Sequence, residues 1–245
     1  MNEDIKTLKH WTECSNNIVF FGGAGVSTES GIPDFRSVDG LYSMEYDYPP
    51  EFILSHSFFM ENPEEFYRFY RNKIICHSAE PNQAHLALAR LEEAKKLKAV
   101  ITQNIDGLHQ RAGSKNVIEL HGSVNRNYCM ECMKKYSIEA LKGSNVPLCD
   151  CGGIIRPDIV LYEEPLNNDS LIRAAEYVSK ADMLIIGGTS LSVYPAAGLV
   201  YFYEGDRLVL INNSETNFDE RVNLLIRENI GEVLGAVKHN RGEGL

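Results

Sequence analysis

Five short apolar runs, rich in β-branched residues, recur along the chain: IVFF at 18–21, AVIT at 99–102, VIEL at 117–120, MLIIG at 183–187 and LVLIN at 208–212. Each is bounded by Gly, Asn or Ser, the pattern of strands buried on both faces, which a helix-covered parallel sheet provides. Helical patterns lie between several of them, AHLALARLEEAKKL at 84–97 and SLIRAAEYVSKA at 170–181. The alternation assembles into βαβ units, so the expected fold is α/β, a Rossmann-like doubly wound parallel sheet. A chain of 245 residues with 44% hydrophobic content is large enough for such a core.

Two segments break the alternation. Residues 41–79 are aromatic-rich and read as helical, as in PEEFYRFYRNKIICHS, and residues 125–155 hold four of the six cysteines. The expected organisation is a single domain over 1–245, with its core in 1–40, 80–124 and 156–245 and a small second domain built from 41–79 and 125–155. No internal repeat or low-complexity tract is present.

The cysteines are unevenly placed. Cys14 and Cys76 stand alone, whereas Cys129-x-x-Cys132 and Cys149-x-Cys151 supply four thiolates on two turns. The start, MNEDIKTLKHWTEC, carries no apolar core of signal-peptide length, and no uninterrupted apolar stretch spans a bilayer. The expectation is therefore a cytoplasmic protein without membrane attachment, where a cysteine cluster favours a metal over disulfides. Four cysteines fill a tetrahedral zinc shell and leave no open position, so the metal is expected to be structural, a zinc ribbon. The second pair has one intervening residue where the first has two. A net charge of -10 works against binding a nucleic-acid backbone.

The first run leads into GGAGVSTESGIPDFRS at 22–37. A glycine-rich turn leaving a strand suits phosphate, but a dinucleotide fingerprint wants a third glycine where this chain has Thr28, after Gly23 and Gly25. Gly31 and Pro33 follow closely, so any helix starting here is short and gives way to an ordered loop. The second run leads into TQNIDGLH, which sets Gln103, Asn104 and Asp106 at the carboxyl end of the sheet, where ligands bind in open α/β folds. Asp106 is also placed to cap a helix through LHQRAG. His121 and Gly122 end the third run, and the near-neutral pKa of histidine suits proton transfer. Gly188, Thr189 and Ser190 end the fourth run and offer amides and small side chains to a phosphate or ribose, while Asn212 ends the fifth and suits sugar hydroxyls or an adenine edge.

Taken in order, GAGVSTESGIPDFRS, TQNIDGLH, the LHG histidine, the two cysteine pairs, RPDIVLYEE, GTSLSVYPAA and the IN pair resemble the sirtuins, the NAD-dependent protein deacylases. The resemblance runs through nearly the whole chain. It implies that Gly23, Ala24 and Gly25 belong to the turn that holds NAD phosphates, and that Ile32, Asp34, Phe35 and Arg36 belong to a loop covering the nicotinamide ribose. Ala24, Thr28, Phe35 and Arg36 would contact NAD, Ile32, Asn104 and Asp106 would shape the nicotinamide pocket, and Ile105 would also bind the cofactor. Gln103 and Asn104 would meet the ribose, Gly188, Thr189, Ser190 and Asn212 the adenosine half, and Ile230 the adenine through its backbone or side chain.

The implied activity is NAD-dependent protein-lysine deacetylation, with the acetyl group passed to ADP-ribose and nicotinamide released. NAD is consumed as a co-substrate, with one structural zinc per chain, and the partners are acetylated proteins or peptides. His121 would be the general base, with Asn104 and Asp106 also catalytic, and Phe35 would screen the cationic intermediate from water. A peptide substrate would add as a strand between the segment around Val160 and that around Ser192 and Val193.

Two departures bear on substrate choice. Glu163 stands where many relatives have glycine, and it either favours peptides with nearby lysines or arginines or simply faces solvent. Sirtuins that remove succinyl or malonyl groups carry Tyr-x-x-Arg in the helical insertion, whereas this chain has Tyr67-Arg68-Phe69-Tyr70, which favours acetyl unless Arg68 or Arg71 serves with the register shifted. Mono-ADP-ribosyl transfer and a catalytically idle NAD or ADP-ribose sensor are the rival readings. The missing third glycine and the IPDFR loop disfavour an NAD-linked dehydrogenase.

Overall fold

The computed structural model describes residues 2–34, 40, 48–76 and 78–237. In chain order its strands are β1 Ile18–Gly22, β2 Leu97–Thr102, β3 Val117–Glu119, β4 Gly122–Cys129, β5 Lys135–Tyr136, β6 Ile155–Ile159, β7 Met183–Gly187, β8 Leu208–Ile211 and β9 Leu224–Ile226. All five apolar runs become strands of one sheet, ordered β3-β2-β1-β7-β8-β9, with every neighbouring pair parallel. The edge strand β9, three residues long like β3, adds a sixth strand beyond the five runs.

Successive strand residues point to opposite faces, and the core divides accordingly. Phe20, Val100, Ile185 and Val209 meet Leu8, Leu88 and Val233 from helices Glu3–Cys14, Gln83–Glu93 and Ile230–Ala236. Phe21, Ile101, Ile186 and Leu210 meet Ala174 and Val178 from helix Asn168–Ser179 and Leu199 from the 3-10 segment Ala196–Phe202. Helices therefore cover both faces, the doubly wound arrangement that runs buried on both sides require. The helical pattern at 84–97 stops at Glu93 because Lys95 turns left-handed at φ 61° and delivers the chain into β2.

The second, smaller layer combines the two interruptions. Strands β5-β4-β6 form a three-stranded antiparallel sheet, and helices His56–Glu61 and Pro63–Phe69 share its core through Phe59, Phe66, Tyr67, Tyr70, Val124 and Ile155. Strand pairing runs from 122 to 159, wider than the 125–155 read from the cysteines. The Tyr67 hydroxyl donates to the Ile155 carbonyl, and the Arg71 guanidinium donates to the carbonyl oxygens of Leu141 and Asn145. The helical insertion and the cysteine module are thus one packed unit.

The order of the large sheet fixes where a ligand fits. From β1 the chain steps outward to β2 and β3 on one side, then returns to place β7 on the other, with Gly22 paired to Gly187. In an open α/β sheet the crevice lies at the carboxyl ends of the strands flanking such a reversal. Here those ends are the two glycine turns, after β1 and after β7.

Candidate active site

The two turns meet backbone to backbone. The Gly25 amide donates to the Gly188 carbonyl at 2.8 Å and the Gly23 amide to the Gly187 carbonyl at 3.3 Å. A Cβ on Gly25 would lie 2.8 Å from Gly188 Cα, and one on Gly188, at φ 58°, would lie 2.4 Å from the Val26 nitrogen. Only glycine permits that approach. As the short spacing to Gly31 and Pro33 implies, Ala24–Val26 and Thr28–Ser30 are single 3-10 turns, and the second ends at left-handed Gly31.

Ser27, 1% exposed, ties this turn to the next one. Its hydroxyl donates to Asp106 Oδ2 at 2.7 Å and accepts from Asn104 Nδ2 at 3.1 Å. The other carboxylate oxygen of Asp106 accepts from the Leu108 amide at 2.8 Å, so the helix cap read from the sequence is present and the second oxygen holds the glycine turn. The Asn104 amide donates to Thr102 Oγ1 at 3.0 Å. Gln103 lies beneath both turns: its amide donates to the Gly22 carbonyl at 2.9 Å, and its Oε1 accepts from Thr189 Oγ1 at 3.0 Å. Its Nε2 is buried without a partner among the described residues, a donor suited to a ligand hydroxyl or an ordered water.

His121 completes the cluster. Its Nδ1 lies 2.9 Å from the Gln103 carbonyl oxygen. A carbonyl only accepts, so Nδ1 carries the proton and neutral His121 keeps Nε2 as its basic atom. Burial holds its pKa below the usual histidine value, with the Gln103 hydrogen bond opposing. Beneath Asp106, His85 and His109 meet edge to face with ring centroids 4.7 Å apart. Burial pushes His85 down to about 4, against the opposing charge of Asp106, and pushes His109 to about 3, helped by His85. Both rings are therefore neutral supports and not proton carriers near neutral pH.

The remaining ligand candidates are distributed around the same edge. Ile32 donates its amide to the Ser27 carbonyl at 3.2 Å, and Ile105 packs against the small core. Thr28 and Ser190 are exposed, as Ser192 is, and the Ser190 and Ser192 hydroxyls lie 2.7 Å apart. Asn212 Nδ2 donates to the Ser214 carbonyl at 2.8 Å. Ile230 is 5% exposed, with its side chain directed against Gly187. Phe35 and Arg36 lie outside the described residues, and Asp34 is the last residue described before them.

Val160 follows β6, and its amide donates to the His121 carbonyl at 3.0 Å, which sets the proposed peptide edge beside the histidine. The next residues are clamped to the helical insertion. Tyr162 and Leu54 or His56 exchange backbone hydrogen bonds at 3.0 Å, and Glu164 accepts from Arg156, the Leu161 amide and His56. Glu163 sits at φ 75°, a conformation that explains why glycine suits this position, and its carboxylate accepts from the Ser57 amide at 2.9 Å and hydroxyl at 2.6 Å. It is thus exposed yet engaged by its own chain. Tyr67 and Tyr70 are fully buried, Arg68 pairs with Glu65, and Arg71 serves carbonyl oxygens.

The four cysteines converge. All four Sγ atoms lie within 4.8 Å of one another, with Cys129 to Cys151 at 3.4 Å and Cys132 to Cys149 at 3.6 Å. Metal–sulfur bonds of about 2.3 Å in a tetrahedron give sulfur–sulfur edges of about 3.8 Å. The donor set and spacing fit zinc.

Three residues that hold the site were not singled out in the sequence. Ser27 lies inside the glycine stretch, but its link to Asp106 spans 79 positions. Asn82 donates to the Val26 carbonyl at 2.7 Å and to Ser30 Oγ at 3.1 Å while capping helix Gln83–Glu93; an asparagine ahead of a helical pattern is a readable cap signal. Glu29 accepts from the Gly231 amide at 2.6 Å, a contact no local pattern announces.

Comparison with known proteins gives concordant results. Residues 23–195 match the model of the Sir2 family. The chain is 57% identical over 242 residues to the NAD-dependent protein deacetylase of Clostridium tetani (strain Massachusetts / E88), covering 97% of this chain and 98% of that one. It is 58% identical over 242 residues to the protein of the same name from Clostridium perfringens (strain 13 / Type A), covering 97% and 99%. A solved structure described as "Sir2-p53 peptide-NAD+" superposes with a TM-score of 0.84 at 45% identity over 96% of both chains, and one described as "Sir2 bound to acetylated peptide" with a TM-score of 0.85 at 43% identity, again over 96% of both. With the glycine turns, the histidine and the cysteine cluster on one α/β frame and a family match across residues 23–195, this chain belongs to the Sir2 family.

Proposed function

We propose that this chain is an NAD-dependent protein-lysine deacetylase that moves the acetyl group of acetyl-lysine to ADP-ribose and releases nicotinamide. The observation that carries the reading is the hydrogen bond from His121 Nδ1 to the carbonyl of Gln103, the residue bonded to both glycine turns. It sets Nε2 as a base where the sheet order puts a ligand.

NAD, consumed as co-substrate, supplies the ADP-ribosyl acceptor and the nicotinamide leaving group. The chain's own residues bind, orient and move protons. Gly23, Ala24, Gly25 and Thr28 face the phosphates, and Gly188, Thr189, Ser190, Asn212 and the Ile230 backbone face the adenosine half. The unpartnered Gln103 Nε2 suits a ribose hydroxyl. Asn104 and Asp106, each bonded to Ser27, are rigid walls for nicotinamide together with Ile32, Ile105 and Asp34. Phe35 and Arg36 complete the loop over the ribose in this reading. Holding the acetyl oxygen against the reacting ribose carbon supplies much of the rate by proximity. The acetyl oxygen bonds to that carbon as its bond to nicotinamide breaks. His121 Nε2 then takes the proton of a neighbouring ribose hydroxyl as the hydroxyl oxygen attacks the activated acetyl carbon, and water adds there as the carbon–nitrogen bond breaks, leaving the free lysine amine and acetyl-ADP-ribose.

The acetylated peptide adds as a strand between Val160 and the Ser192–Val193 segment, where main-chain hydrogen bonds tolerate varied sequences. An uncharged acyl group is supported by the burial of Tyr67 and Tyr70 and by the engagement of Arg71 with carbonyl oxygens. One zinc ion held by Cys129, Cys132, Cys149 and Cys151 is structural, since four thiolates leave no open position. The whole of 1–245 acts as a single catalytic domain, with the small layer as its second part. A cytoplasmic setting accords with metal-binding thiols. Among the described residues no helix is long and apolar enough to cross a membrane.

The test is mass spectrometry of an acetyl-lysine peptide incubated with the purified protein, with and without NAD, beside His121→Ala. The expected result is loss of the acetyl group only with NAD, with nicotinamide and acetyl-ADP-ribose appearing and the variant silent. Nicotinamide release from a peptide that stays acetylated would overturn the acyl assignment in favour of ADP-ribosyl transfer.

A further inference from the structure

The two cysteine pairs differ in spacing, and the difference shows in how their sulfurs are held. In Cys129-x-x-Cys132 the amides of Glu131 and Cys132 both serve Cys129 Sγ, the latter at 3.5 Å. In Cys149-x-Cys151 the Cys151 amide serves Cys149 Sγ, but the next amide, that of Gly152, donates to the Cys149 carbonyl oxygen at 2.8 Å. The shorter knuckle has no second amide for its first sulfur.

The missing donor comes from another strand. The Tyr136 hydroxyl donates to Cys149 Sγ at 3.0 Å. Tyr136 lies on β5, paired with Asn127 of β4, the strand that ends at Cys129. The Lys134 ammonium sits 5.3 Å from the centre of the Tyr136 ring and pairs at 2.6 Å with Asp150, the residue between the two cysteines of the short knuckle. The pairing of β5 with β4 thus holds the hydroxyl against the sulfur.

We propose that Tyr136 is a positioning residue for the metal, its hydroxyl replacing the amide that the Cys149-x-Cys151 spacing cannot supply. A hydrogen bond to a metal-bound thiolate fixes the sulfur lone pair and spreads its charge, and losing such an outer partner typically weakens metal affinity about 10- to 100-fold. The inference rests on reading the four cysteines as a zinc site.

The test compares wild type, Tyr136→Phe and Lys134→Met. Zinc per chain is counted by elemental mass spectrometry, and transfer of zinc to a chelating dye is then timed at neutral pH. Tyr136→Phe is expected to lose zinc about 10- to 100-fold faster, with Lys134→Met, which keeps the hydroxyl, within about threefold of wild type. In cobalt-substituted protein the sulfur-to-metal charge-transfer band of Tyr136→Phe should move to longer wavelength, a change that altered packing alone would not produce. Wild-type release and an unmoved band in Tyr136→Phe would overturn the proposal. Equal acceleration in Lys134→Met would also overturn it, by assigning the effect to the ion pair. Wild type lacking zinc altogether would instead sink the metal reading, and the proposal with it.

Discussion

His121 holds its Nδ1 2.9 Å from the backbone carbonyl of Gln103, and Gln103 in turn lies beneath both glycine turns through its amide to Gly22 and its side chain to Thr189. The proposed base and the proposed co-substrate cradle are therefore both tied to one residue. Any movement of the cradle is felt at the imidazole.

Replacing His121 with Ala should lower the rate of deacetylation about 10²- to 10⁴-fold while leaving NAD binding nearly unchanged, as expected for loss of general-base catalysis. Because burial lowers the His121 pKa, the neutral form persists below the ordinary value of about 6.5. The acidic limb of kcat/KM should accordingly fall below that pH. A pH–rate profile checks it, and an acidic limb above pH 7 would contradict it.

Substituting Ala at Gly188 forces a Cβ to within 2.4 Å of the Val26 nitrogen at φ 58°. The two turns must part, at a cost of about 2 kcal/mol in stability. Calorimetric titration should show NAD binding lost or weakened more than tenfold, whereas Gly143→Ala, at φ 108° with nothing near its Cβ, should lower stability but leave NAD affinity intact.

Glu29 joins the first glycine turn to the start of helix Ile230–Ala236 through the Gly231 amide at 2.6 Å. Both sides of this bond face NAD in the proposed mode. Glu29→Ala should raise KM for NAD about fivefold with little change in kcat, consistent with about 1 kcal/mol for an exposed cap, and Glu29→Gln should retain most of the affinity. Steady-state kinetics in NAD at saturating peptide separates the two parameters.

Arg156 and Glu164 form an ion pair whose side chains are 10% and 17% exposed. Burial opposes ionisation of Glu164, but Arg156, the Leu161 amide and His56 outweigh it and hold the carboxyl below its usual value. A depressed carboxyl contributes stability above its unfolded pKa of about 4.3 and loses it as pH falls through the folded value. Arg156→Met should leave Glu164 without its cation at a cost of about 3 kcal/mol. It should also flatten the fall in melting temperature below about pH 4.3, as thermal scans from pH 7 to 3 would register.

Much of the frame was legible locally. Five buried runs became five strands of one parallel sheet, since a strand covered on both faces is apolar throughout and needs no partner to identify it. The short turns after Gly23 follow from Gly31 and Pro33. Strand β9 is defined by its parallel pairing with β8, and the strand pairing from 122 to 159 exceeds the cysteine-bearing stretch because β4 and β6 pair beyond their cysteine-proximal ends. The sequence leaves Glu163 as either a peptide reader or a solvent-facing side chain. Its hydrogen bonds to Ser57, 106 positions away, are of a kind that no window of sequence contains.

By itself the sequence determined five strands of the large sheet, the pairing of four cysteines on two turns and the residue types at those strand ends, because burial periodicity, turn chemistry and ligand spacing are properties of neighbouring residues. Tertiary structure alone decided which nitrogen of His121 is basic, how Ser27 binds Asp106 to Asn104, and that Tyr136 serves Cys149. Each of those is a hydrogen bond between segments far apart in the chain, and its donor, acceptor and distance exist only once the sheet order has brought the segments together.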